Sequence, residues 1–260
     1  MATKPKATTS TAVAVKKPTS GNIVSIQEQL KAQAAAVAGR TEGSASKQIK
    51  YSDGKFVLPN GAQTSDPIKV VILDFVTQHT KYEKAYKAGE VSPINCAAVG
   101  DNPREMVPYA SIGAPECGDC ASCWANQYKS AAQGDGKACK QVRHMAVLVQ
   151  DSNGVIDPDG PVFTIQTTPT SNKVFDGYVK SVAAAFQLPP VGVVTTLDID
   201  TTSSKWASLM FTNPAPNKDV AVNFARQAEA RAMLTEEVPV VPPTPVAAPA
   251  GRGKAAPVRR

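Results

Sequence analysis

The sequence predicts a mainly β domain of the α+β kind, framed by two arms that carry no core of their own. Three observations lead there. β-Branched runs of strand length recur through residues 55–212. A helix with apolar residues every four positions interrupts them once. Both ends of the chain mix Pro, Ala, Thr, Ser and basic residues without apolar periodicity.

Residues 1–21 read as a disordered basic arm, because nothing in them buries enough surface to offset the entropy of ordering. Residues 22–39 read as an amphipathic helix, with a Ser25 to Glu28 capping box, Ile26, Leu30, Ala34 and Val37 on one side, and Gly39 as the stop. The polar stretch 40–54 reads as a linker. Strands are expected at 55–58 and 68–77, the second a core strand, and then at 141–150 and 161–167, a pair joined through turns rich in Asp, Asn, Pro and Gly. A helix is expected over 171–187, where Val174, Tyr178, Val182 and Phe186 share a face and Pro189-Pro190 forbids continuation. Strands at 191–200 and 205–212 form a second hairpin, and a helix over 217–234 closes a domain spanning 55–237. The Pro/Ala-rich stretch 238–260 reads as a disordered basic tail.

Strand, long insertion, strand, strand, helix, strand, strand, helix is the order of an OB-like five-stranded barrel, whose helix lies between the third and fourth strands and whose face and loops take oligonucleotides. The insertion, residues 80–140 or so, follows the first barrel strand.

The net charge of +6 is carried by the ends: residues 1–20 and 238–260 each hold four Lys or Arg and no acid, which leaves the remainder at −2. Basic tails of this kind suit phosphate neutralisation. No apolar run approaches the roughly 18–20 residues that cross a bilayer, and no compact apolar secretory region follows the first residues, so a soluble intracellular protein without a membrane partner is expected.

Five cysteines fall in the insertion: Cys96, Cys117, Cys120, Cys123 and Cys139. An odd, clustered set fits a metal in a reducing compartment better than a disulfide framework. A C-x2-C knuckle lets two thiolates meet one tetrahedral ion and a distant pair completes it, so zinc is expected on Cys96, Cys120, Cys123 and Cys139. Cys117 is the alternative ligand; with Cys120, Cys123 and Cys139 it gives C-x2-C-x2-C plus a remote Cys, the pattern of an iron–sulfur cluster. A closed four-thiolate site has no open position for water, so its expected role is structural. Catalysis is not expected. The chain has no G-x-x-x-x-G-K-[ST] run, no Ser/His/Asp set and no paired carboxylates, Asp74 and Asp119 standing alone. His79 is followed by Thr80 and Lys81, and His144 lies in an expected strand, so the H-x-E element of a zinc deaminase is missing.

The string Cys120-Ala-Ser-Cys123-Trp-Ala-Asn-Gln-Tyr-Lys-Ser-Ala131, followed by Gly134-Asp-Gly-Lys-Ala-Cys139-Lys-Gln-Val-Arg143, resembles a family of bacteriophage and prophage proteins. With the barrel order, residues 55–215 resemble phage single-stranded-DNA-binding proteins, some of which carry a zinc-binding cysteine insertion in an OB-fold. The resemblance implies a non-catalytic role in DNA replication or DNA recombination in the host cytoplasm, with phage replication or recombination proteins as partners. Members of that class often end in an acidic tail, whereas this chain ends in a basic one.

Binding a single strand without sequence preference needs cations along a groove and aromatic faces for bases to stack on. Lys81, Tyr82, Lys84, Tyr86 and Lys87 interleave the two just after the first core strand, and Trp124, Tyr128, Lys129, Lys137, Lys140 and Arg143 do so around the cysteines. Trp206 ranks below them, because alternation places it opposite Thr196, Asp198 and Asp200. The competing expectation is a phage virion or assembly protein that makes protein contacts through its tails.

Overall fold

The run IKVVILDFVTQHTKY forms a fifteen-residue strand, β4 (Ile68–Tyr82), on which the rest of the domain is built. The computed structural model describes residues 47–84, 92–112, 115–202 and 207–236. The expected arm 1–21, helix 22–39 and tail 238–260 lie outside the described residues, as do Tyr86, Lys87 and Trp206. In chain order the elements are β1 (Gln48–Ser52), β2 (Lys55–Val57), β3 (Gln63–Thr64), β4, β5 (Ile94–Gly100), β6 (Cys139–Val149), β7 (Phe163–Gln166), α1 (Asn172–Phe186), β8 (Val193–Asp200), β9 (Ser208–Pro216), α2 (Val220–Ala225) and α3 (Gln227–Thr235). The domain is mainly β, and its sheet curls into a half-barrel.

The sheet runs β3-β2-β1-β7-β6-β4-β8-β9, with β5 also on β4. One edge of β4 pairs with β6 along most of its length. Its other edge is divided: Ile68–Val71 pair with β8, and Thr77–Tyr82 pair with β5. All nine described strands join in this one curled sheet. The second edge of β7 goes to β1 in parallel, and the outer edge of β9 meets no described strand.

A bulge between Ile72 and Asp74 sets which side chains share a face. Val70, Ile72 and then Phe75 enter one core, while Val71, Leu73 and then Val76 enter the other. The first core is closed by α1, whose Phe175 is fully buried and packs edge-on against Phe75 at 4.9 Å and against Phe211 at 5.0 Å. The second is closed by Ala230 and Leu234 of α3. Beyond the bulge, alternation and register continue the first face through Thr77, His79 and Lys81 of β4, Arg143, Gln141 and Cys139 of β6, and Ala98 and Cys96 of β5.

Three elements depart from expectation. The expected linker contains β1, because Ile49 is buried against Ile165 of β7, and Asp53 and Gly54 turn the chain into β2 with φ of 50° and 73°. The expected insertion contains β5, whose Ala97 and Ala98 are buried without the bulk that marks a strand in sequence. The expected last helix is two, broken at Arg226, whose guanidinium donates to the carbonyls of Pro158 and Gly160 at 2.7 and 2.8 Å.

Candidate metal centre and adjoining groove

The far end of β4 assembles the cysteines. Lys81 is in register with Cys96 on β5 and with Cys139 on β6, so these two residues flank it on the same face. The other three arrive from the β5–β6 connection. The Cys120 N–H donates to the Met106 carbonyl at 2.9 Å, and Cys120 packs on Met106 and Ala98. Asp119 holds the turn after it, accepting from the Ser122 N–H at 2.7 Å and the Ser122 hydroxyl at 2.6 Å. Cys123 then enters a 3-10 turn over Trp124–Asn126, in which the Asn126 N–H donates to the Cys123 carbonyl at 3.0 Å. The Asn126 side chain ties this turn back, donating to the Cys120 carbonyl at 2.7 Å and accepting from Lys137 at 3.0 Å. All five cysteines, with His79, Lys81 and Glu116, line one small cavity of about 20 Å³.

The thiols sense one another. Burial pushes the Cys120 thiol up to about 11, with the neighbouring Cys96 and Cys123 adding to the rise. Burial, then Cys120, Cys96 and Cys123, pushes Cys139 up to about 12, against a favourable Thr80 N–H. Cys123 is raised by burial and by its contact with the Cys117 thiol. Neutral thiols are poor nucleophiles, and crowded thiolates need a cation to coexist. Among the described residues no three His, Cys, Asp or Glu side chains are already drawn together around a point that an ion would take. His79 shares the cavity and is 1% exposed, with no hydrogen-bond partner at either ring nitrogen. Burial, then Lys137 and Arg143, lowers its pKa to about 4, so the ring is neutral.

Beside the cavity lies an open depression of about 900 Å³ whose lining includes Tyr82, Lys84, Trp124, Lys137 and Lys140. Trp124 is 49% exposed although its indole N–H donates to Glu116 at 3.2 Å. The lining holds four lysines against one glutamate, Glu83. Tyr128 is 74% exposed and lies just outside that lining, with the Lys137 ammonium 5.0 Å from its ring. Lys129 is exposed at φ 67° in the same turn. Lys140 keeps its side chain exposed, while neighbouring protein draws its pKa below the ordinary lysine value.

Two expected DNA contacts are used elsewhere. Lys81 turns inward and pairs with Glu116 at 2.7 Å. Arg143 is buried, donating to both Asp176 oxygens at 2.9 and 2.8 Å and to the Thr77 hydroxyl at 2.5 Å; it joins β6 to α1 and faces no groove. Asp74 pairs with Arg231 at 2.7 Å. Sequence reasoning missed His79 as a cavity residue, though its place two before Lys81 on a strand puts both on one face. It also missed Glu116, which takes Lys81, Trp124 and Asn95 together, and which no local pattern announces. Comparison with protein-family models, with curated proteins and with solved structures finds no match.

Proposed function

We propose that this protein binds single-stranded DNA, without catalysis, along the depression lined by Tyr82, Lys84, Trp124, Lys137 and Lys140, and that a zinc centre in the cysteine cavity shapes one wall of it. The reading places it in phage DNA replication or recombination. The observation that carries it is the depression itself: the exposed rings of Tyr82 and Trp124 share its lining with four lysines. Stacking supplies sequence-tolerant affinity and the lysines follow phosphates.

Two further features support the reading. β4 pairs with both β6 and β8, and α1 lies between β7 and β8, the connections of an OB-fold in which β1 has taken the edge that would close the barrel. Five thiols on one cavity are a donor set that suits zinc, with an iron–sulfur cluster as the alternative. Bound there, zinc supplies folding free energy rather than reaction chemistry. Cys123 and Cys139 are followed directly by Trp124 and Lys140, so whatever fixes the sulfurs fixes the groove.

Fluorescence anisotropy of a labelled oligo-dT, titrated with full-length protein across a salt series, tests this. Three groove lysines predict a log–log salt slope of about −2. Trp124→Ala is expected to weaken binding by roughly 5–150-fold, the equivalent of ~1–3 kcal/mol for one stacked base. An affinity that does not respond to salt overturns the proposal. So does a variant lacking residues 1–20 and 238–260 that loses all affinity, because the tails would then be the platform.

A further inference from the structure

We infer that His79 is itself a ligand of the metal centre, which is therefore a three-sulfur, one-nitrogen site formed by His79, Cys96, Cys120 and Cys139. The inference rests on the zinc reading above and changes its ligand set.

The argument begins with the orphaned ring. A neutral imidazole carries one N–H donor and one lone pair, and burial removes the water that would answer them. His79 is 1% exposed, and neither Nδ1 nor Nε2 has a partner. Its ring lines the same small cavity as all five sulfurs. A lone pair buried among thiols, with no donor aimed at it, is the arrangement a soft cation satisfies.

Register supplies the rest. Cys96 and Cys139 flank Lys81 on its two neighbouring strands, about 4.8 Å to either side by ordinary strand spacing. His79 is two residues before Lys81 on the same face, in register with Ala98 and Gln141. The three residues form a triangle on the sheet around Lys81, whose ammonium pairs with Glu116 on the wall of the same cavity. Cys120 belongs to the buried cluster of Ala98, the register partner of His79, and lines the same cavity.

The test is a Co²⁺ titration of the metal-free full-length protein read by visible absorption, with X-ray absorption on the zinc-loaded protein counting sulfur and nitrogen neighbours. His79→Ala, His79→Gln, Cys123→Ser and Cys96→Ser are compared, and circular dichroism checks that each stays folded. The expected result is a three-sulfur, one-nitrogen spectrum for the unaltered protein and a loss of metal affinity in both His79 variants. That loss should be at least the roughly 10–100-fold that even an outer partner of a ligand costs. Cys96→Ser should lose as much, and Cys123→Ser should stay within a few-fold. A four-sulfur spectrum unchanged by His79→Ala overturns the inference while leaving the zinc reading standing, and implies that a buried water answers the ring. Absence of any Co²⁺ or Zn²⁺ binding by the unaltered protein overturns both.

Discussion

Replacing Arg143 with methionine removes a charge while keeping an unbranched side chain for the same space, and it separates a structural role from a DNA-binding one. Arg143 makes two charge-assisted bonds to Asp176 and one to the buried Thr77 hydroxyl. Hydrogen bonds to charged groups contribute about 1.5–3 kcal/mol each, but the Asp176 side chain is 42% exposed and recovers water once released. Thr77 is 2% exposed and recovers none, which costs about 1–3 kcal/mol. Methionine returns part of this as apolar burial. The net expectation is a loss of about 2–3 kcal/mol, or roughly 4–12 °C in melting temperature for a domain of this size. Urea and thermal denaturation followed by circular dichroism read it, with Asp176→Asn as the second arm of a double-mutant cycle. Oligo-dT affinity of the folded variant should be unchanged. Stability within about 0.5 kcal/mol of the parent, or a clear fall in DNA affinity with stability intact, would refute the reasoning.

Removing metal with a chelator should lower the melting temperature and weaken oligo-dT binding together, since the groove residue Lys140 directly follows the ligand Cys139; loss of one without the other separates the centre from the groove. Burial holds His144 at a pKa of about 4, against an ordinary 6.5. The unfolded chain then takes up its proton first as pH falls, so stability is full above pH 6.5 and declines towards pH 4, by about 3 kcal/mol. His144→Gln should flatten that part of the urea-midpoint profile. Gly192→Ala would bring a Cβ within 2.7 Å of the Leu188 Cβ, so it should cost about 1–3 kcal/mol in urea unfolding; a neutral result would show that Leu188 moves aside freely.

Much of the sheet was legible because its signals are strong and local. The β-branched runs of β4 and β6 and the four-residue spacing in α1 are visible without any partner. β1 was not, because its assignment rests on one isoleucine whose burial depends on β7, more than a hundred residues away. The Asp53-Gly54 turn was the available clue. β5 hid behind Ala97 and Ala98, which are buried but carry none of the β-branched bulk that marks a strand in sequence. The sharing of one cavity by the cysteines was readable from their spacing, but the inward turn of Lys81 and Arg143 was not. Charge interleaved with aromatics looks the same in sequence whether a cation meets solvent or a carboxylate such as Glu116 or Asp176, and those partners come from distant segments.

The placement of Cys96 on β5 and Cys139 at the start of β6 also bears on portability. A stretch that looks like a self-contained cassette in the sequence borrows two of its sulfurs from strands hydrogen-bonded to β4. A peptide covering residues 92–140, excised and supplied with metal, would lack the β4 backbone that spaces those strands, and grafting it into another host would transplant a loop without its frame.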